Sequence, residues 1–235
     1  MSARTRPRYR AGSAAGEVRG VLAGTRVGEE TMDYWNHNVH YQSLILAVVP
    51  PGCGSALDVG CGDGLLACRL AAHCRDVTGI DCDRHMIQLA RQRGQNLHNV
   101  AFIDAEFPAF PFDDESFDFI VSDTAIHHMN FEAALMAMSR LLRPGGQLAI
   151  VGLARSAKPA DWMYDVAGMP ANVAYGLAHG ALRAAHRESP GPGQPIKAPT
   201  MTWDEVRVAA LRLLPGAQYR RHLLFRYSLL WRKPS

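Results

Sequence analysis

The side chains in this chain with the types and spacing to do chemistry are three aspartates in or at the end of apolar runs, Asp58, Asp81 and Asp104, and two adjacent histidines, His127 and His128. Asp58 stands in LDVGCGDG, where glycines recur at 60, 62 and 64 before the helix-prone LLACRLAA. Strand, glycine turn and helix in that order make a small-molecule cradle, because glycine reaches positive φ and puts no Cβ between backbone and ligand. Asp81 ends the next apolar run, about twenty positions beyond Gly60, where α/β nucleotide folds set a carboxylate against a ribose diol. A carboxylate accepts from both hydroxyls at once, which fixes the sugar. The glycine spacing is GxGxG, not the GxGxxG that seats a dinucleotide pyrophosphate. An ordinary tight turn at the glycines and a helix-capping role for Asp81 are the plain alternatives. Imidazole titrates near neutrality and suits removal of a proton from a weakly acidic acceptor. One satisfied and one exposed histidine, without chemistry, is the alternative for the pair.

The elements that must position these residues alternate between strand and helix. Residues 31–49 read as a helix ended by Pro50 and Pro51, with Trp35, Val39, Leu46 and Val49 near multiples of 3.6. His37, Tyr41, Leu44 and Val48 line the adjacent stripe. So many polar-tipped side chains between Tyr34 and Tyr41 are costly to bury unpartnered, which favours a lid over a plain packing helix. Helix is expected over 65–74, strand over 77–80, and a helix to residue 95 with Asp83 at its N-cap. Strands follow at 100–103 and 117–121, a helix at 131–142, a Pro-Gly-Gly turn at 143–146 and a strand at 147–153. Helix-prone but glycine-broken sequence fills 155–200. A helix capped by Thr202 and two final strands complete the chain. Alternating strands and helices point to an α/β fold with a mostly parallel sheet.

LDVGCGDG resembles motif I of the class I S-adenosylmethionine (SAM) dependent methyltransferases. FDFIVSDTAIHHM, residues 117–129, is similar to motif IV of the branch that acts on metabolites, and LLRPGGQLAIVGL, residues 141–153, matches that family's stop and fifth strand. The Asn/Asp-Pro-Pro-Tyr signature of enzymes that methylate nucleobase amines is missing. The resemblance covers about residues 31–232 and implies a Rossmann-like seven-stranded sheet with helices on both faces, closed by a C-terminal antiparallel hairpin. It assigns Asp58, through water or backbone, to the SAM amino group and Gly60, Cys61 and Gly62 to the methionine part. Asp81 takes the ribose hydroxyls, with Cys82 and Met86 near the adenine. Asp104 accepts from the adenine amine and the Ala105 amide meets a ring nitrogen, with Glu106 beside them. Ser122 and Asp123 belong to the cofactor side of motif IV. His128 is the first candidate for the base and His127 the second. A lid at 29–50 supplies Tyr34, Trp35, His37 and Tyr41 to the acceptor pocket, and a cap at 155–200 supplies Trp162 and Tyr164. A metal held by His37, His40 and the pair lacks an evident carboxylate partner, so none is expected.

At 235 residues, 48% apolar and 20% charged, the chain suits one domain over 17–235 with a basic, Arg- and Gly-rich arm at 1–16. A net charge of +3 gives little reason to expect nucleic acid, and Arg183, Arg187, Arg220 and Arg221 read as solvated cations. Cys53, Cys61, Cys68, Cys74 and Cys82 have no zinc-like spacing and no apolar leader precedes them. Reduced thiols, a cytoplasmic location, no membrane span and a monomer or homodimer are the expectation. The reaction expected is methyl transfer from SAM to an oxygen or nitrogen of a small molecule, a secondary metabolite among the candidates. A SAM-binding protein without catalysis and a nicotinamide oxidoreductase are the alternatives, the latter at odds with the glycine spacing and terminal hairpin.

Overall fold

A run of five buried residues, Ser55–Val59, forms the central strand β1 of the computed structural model, which describes residues 37–159, 161, 198–222 and 226–235, with backbone alone for 37–40. Burial on both faces is what a parallel strand covered by two helix layers requires. Helix α1 (His37–Leu46) precedes β1, and α2 (Leu65–Leu70), β2 (Asp76–Asp81), α3 (Arg84–Arg93) and β3 (Val100–Asp104) follow it. Strand β4 (Phe117–Asp123), a short 3-10 turn (Ile126–His128), α4 (Phe131–Leu141) and β5 (Leu142–Gly152) come next. Helix α5 (Trp203–Leu213) and the pair β6 (Gln218–Arg221) and β7 (Tyr227–Arg232) complete the described elements. The sheet order is β3-β2-β1-β4-β5-β7-β6, with β7 antiparallel to both β5 and β6 and the other pairs parallel.

Alternation along the strands divides the core in two. Ala56, Phe119, Val121, Ala149 and Val151 face Tyr41 and Ile45 of α1 and Leu66, Ala67 and Leu70 of α2. Leu57, Ile120, Leu148 and Ile150 face Leu135 and Met138 of α4 and Val206 and Ala210 of α5. Helices therefore cover both faces, and no helix of the described residues is long and apolar enough to cross a membrane.

Asp83 caps α3 as its position implies, accepting from the amides of His85 and Met86 at 2.8 and 3.2 Å. Thr202 and Glu205 form a reciprocal capping box on α5. Two expectations are corrected. The inner stripe of α1 is Tyr41, Gln42 and Ile45, while Leu44 is 46% exposed, because a helix packed on a sheet buries the i, i+1, i+4 group nearest the strands. Residues 143–146 are not a separate turn: α4 passes straight into β5 at Leu142, which pairs with Phe117. Regular pairing resumes at Phe119 with Gln147, so the Arg-Pro-Gly-Gly stretch forms a bulge, with Gly145 at φ +76°.

Candidate functional site

At the C-terminal ends of β1, β2 and β4 a cavity of about 390 Å³ opens, lined by Gly60, Gly62, Asp81, Ala105, Asp123 and His128 among others. A crevice at that end of an open α/β sheet is where ligands bind, since neighbouring strands leave in opposite directions there. The glycine turn forms its floor. A Cβ on Gly60, at φ +73°, would fall 2.1 Å from the Ala125 Cβ, and one on Gly64, at φ +77°, would fall 2.7 Å from the Phe102 ring. The close approach that these two glycines allow is thus to other parts of the protein, and the floor is set by packing. Asp63 between them is buried and holds Arg93 of α3 at 2.7 Å, with a second bond from Arg93 Nε to the Asp63 carbonyl at 3.1 Å.

Asp81 is oriented before any ligand arrives. Its Oδ2 accepts from the Gly62 amide and its Oδ1 from the Asp83 amide, both at 2.9 Å. Each oxygen keeps a further lone pair. Cys82, Asp83, Met86, Ala105, Glu106, Phe107 and Pro108 continue the wall. Across the floor, Asp123 receives Gln42 Nε2 on Oδ2 at 3.2 Å and Thr124 Oγ1 on Oδ1 at 3.1 Å. Burial pushes its carboxyl up to about 6, against those hydrogen bonds and the pull of Arg226 and Arg69. Thr124 sits at φ +60°, which for a β-branched residue is strained backbone, and it too lines the cavity. His128 and Asn130 form exposed parts of the lining, and Met129 an apolar one.

Not every residue singled out in the sequence reaches this cavity. Asp58 lies beneath it, 1% exposed. Burial drives its carboxyl well up, with the Asp123 and Asp81 charges adding to the effect, and its Oδ2 has no hydrogen-bond partner among the described residues. Cys61 is buried in the core, and Ser122 spends its hydroxyl on the Val59 carbonyl at 2.9 Å, stitching β4 to β1. Asp104 is not among the lining residues and pairs with Arg84 at 3.3 Å, leaving Glu106 as the acidic side chain of that loop in the lining. His127 is outside the lining, its ring tilted at 41° against that of His128 with centroids 4.1 Å apart. Tyr41 packs in the core against His222, with ring centroids 5.4 Å apart. Tyr34, Trp35, Trp162, Tyr164 and the His37 side chain lie outside the described residues. Arg221 is no solvated cation: it is 16% exposed, pairs with Asp161 at 2.6 Å and stacks 4.1 Å from the Trp203 ring.

Phe107, Pro108, Thr124 and Met129 were not singled out as site residues in the sequence, although Phe107, Thr124 and Met129 each adjoin one that was and Pro108 lies two positions past Glu106. Gln42, one position beyond the polar cluster ending at Tyr41, carried no signal that it would be buried. Among the described residues, no three His, Cys, Asp or Glu side chains come together as a metal site.

Comparison with known proteins agrees with this architecture. Residues 57–150 match the methyltransferase domain family. The chain is 36% identical over 203 residues to an uncharacterized methyltransferase of Mycobacterium tuberculosis, covering 85% of this chain and 98% of that one. It is 38% identical over 117 residues to phthiotriol/phenolphthiotriol dimycocerosates methyltransferase 1 of Mycobacterium ulcerans, across 48% of this chain and 43% of that one. Its fold is similar to that of the N-methyltransferase NodS from Bradyrhizobium japonicum, solved with S-adenosylhomocysteine, at a TM-score of 0.53 and 19% identity over 84% of this chain and 86% of NodS. The family match runs from within β1 through the glycine turn, Asp81 and the β4 segment into β5, and so takes in the stretch that builds the cavity. The chain belongs to the class I SAM-dependent methyltransferases, and SAM is its cofactor.

Proposed function

We propose that this enzyme moves the SAM methyl group to an oxygen or nitrogen of a small-molecule acceptor, a secondary metabolite being one such class, with the cofactor in the cavity over Gly60 and His128 as the base. The observation that carries the reading is the charge of the lining. Asp81, Asp83, Glu106 and Asp123 all contribute to it, and among the described residues no Lys or Arg does. Such a wall suits a ligand bearing a sulfonium and an ammonium group. Asp81, already aligned by two backbone amides, would accept from the ribose hydroxyls, and Asp123 would face the positive end. Met86 and Phe107 offer apolar surface for a base. The chemistry that SAM supplies when bound is a methyl group open to in-line displacement.

The protein has then to orient the acceptor, exclude water and take up one proton. His128 is the titratable imidazole in the lining, and its exposed position lets it pass the proton to solvent. Apolar Met129, next to His128, favours an acceptor with little charge of its own.

Calorimetric titration with SAM, S-adenosylhomocysteine and NAD tests the cavity. Binding of the first two at about micromolar Kd, with none of NAD, is expected. A screen of metabolite acceptors with methyl-labelled SAM then tests the reaction. Tight SAM binding without label transfer to any oxygen or nitrogen acceptor would instead favour a SAM-binding protein that does not catalyse.

A further inference from the structure

Gln42 brings a buried amide to the inner face of α1, at 5% exposure. Both ends of its amide are used. Its Oε1 accepts from Arg69 Nη1 of α2 at 2.6 Å and its Nε2 donates to Asp123 Oδ2 at 3.2 Å. The orientation is forced, because a guanidinium can only donate, so the amide oxygen must face Arg69 and its NH₂ group must face the carboxyl. One residue thus joins the helix that precedes β1, the helix that follows the glycine turn, and a carboxyl in the cavity wall. An apolar residue at 42 would complete the packing of Tyr41 and Ile45 without making α1 sensitive to the cavity.

We propose that Gln42 is a positioning residue that couples the seating of α1 to the charge on Asp123, so that docking of α1 and binding of a cation in the cavity strengthen each other. The proposal rests on the reading that places SAM in this cavity. A hydrogen bond to an ionised carboxylate is stronger than one to a neutral carboxyl. A cationic group beside Asp123 favours its ionised form, which tightens the Gln42 contact and with it the hold on α1. By reciprocity, a seated α1 favours the carboxylate and hence the cation. Arg69 of α2 and Arg226, just before β7, also favour the carboxylate, while Asp58 of β1 opposes it. Thr124 Oγ1 can donate to either state or accept from the protonated one.

The test measures two things on the full chain: hydrogen exchange of the α1 amides with and without SAM, and SAM affinity by calorimetry from pH 5 to pH 8. In the wild type at pH 5, where burial keeps Asp123 mostly protonated until a cation binds, SAM is expected to slow exchange in α1 by up to about tenfold, with little effect at pH 8. Gln42→Leu is expected to bind SAM a few-fold more weakly between about pH 6 and pH 7, with the fall in affinity moved to higher pH by about one unit and the SAM-dependent protection lost. A uniform loss of affinity at every pH, with the midpoint unmoved, would mean that Gln42 only packs and would overturn the proposal. Gln42→Met keeps the length of the side chain but has no donor for Asp123 and adds no charge, so it should shift the midpoint the same way if the leucine variant does not fold. Wild-type exchange needs no variant, and α1 amides that ignore SAM at pH 5 overturn the proposal directly. Asp81→Ala separates the two failures. If SAM binds and depends on Asp81 while α1 stays indifferent, the cavity stands and the role of Gln42 falls; if Asp81→Ala binds as tightly as wild type, the cavity reading itself falls.

Discussion

Asp81 does two jobs with one carboxylate: it holds the amides of Gly62 and Asp83, and its free lone pairs are offered to the cavity. Asp81→Ala should weaken SAM binding tenfold or more by calorimetry, because a charge-assisted hydrogen bond contributes roughly 1.5–3 kcal/mol. Asp81→Asn, which keeps one acceptor oxygen but can serve only one of the two amides, should fall between. His128→Ala should lower turnover about a hundredfold with a given acceptor while SAM affinity stays nearly intact. Full activity would remove it as the base. His127→Ala, outside the lining, should cost turnover far less.

Asp123 carries a pH prediction. Burial pushes its carboxyl up to about 6. A cation bound beside it lowers that value, so SAM affinity should be greatest above pH 6 and fall as pH drops through 6, by up to about tenfold per unit. The Asp123→Asn variant should bind more weakly at pH 8 and show a flatter profile. For folding the sign reverses: a carboxyl raised from the usual range to about 6 means that the folded state holds its proton longer. Its contribution to stability is therefore lost as pH rises from about 4 to about 6, and Asp123→Asn should remove that part of the pH dependence of the urea midpoint.

At the scale of the elements, the glycine turn depends on an ion pair as much as on glycine. Asp63 is 4% and Arg93 15% exposed as side chains, so the pair is shielded from solvent and fixes the loop to the last turn of α3. Removing Arg93 leaves a buried carboxylate without its cation. Arg93→Ala should cost about 3 kcal/mol in urea unfolding and weaken SAM binding with it, whereas the double change Asp63→Ala with Arg93→Ala should cost less than the single one. Two equal and additive losses would show that the strut is not a coupled unit. The strained Thr124 belongs to the same frame: its amide donates to the Val151 carbonyl at 2.7 Å, so β5 holds the exit of β4 in the conformation that presents Asp123 and Thr124 to the cavity.

Across the whole molecule, the C-terminal pair of strands locks onto the site-bearing sheet through a close contact. Gly152 of β5 stands opposite Tyr227 of β7, and a Cβ there would fall 2.4 Å from the tyrosine ring, which is 1% exposed. Gly152→Ala should cost about 1–3 kcal/mol by overpacking, read as a lower urea midpoint with unchanged slope. Nearby, Arg221 anchors Asp161, while Trp203 Nε1 donates to Ser156 Oγ at 3.1 Å, so the start of the 155–200 segment is tied to β6 and α5.

Local signals carried the fold a long way. Apolar runs carrying an aspartate at or near their ends marked β1, β2 and β3, Asp83 and Thr202 marked two helix starts through capping chemistry, and the last two strands were legible as strands, their antiparallel pairing following from the family resemblance. The end of the second strand pointed to Asp81, while Met86 and His128 were singled out through the resemblance of their segments to the methyltransferase motifs, and all three line the cavity. What local signals could not decide was how side chains are shared out once elements pack. LLRPGGQ reads as a turn and becomes a bulge because Leu142 finds Phe117 across the sheet. Asp104, equivalent to Asp81 in sequence, turns to Arg84, and Ser122 spends its hydroxyl on β1. Gln42 joins the site only because α1 crosses the end of β4, bringing together residues 81 positions apart. Chain-local physics determines which elements form and where a cavity must open; long-range packing and desolvation decide which polar groups face it.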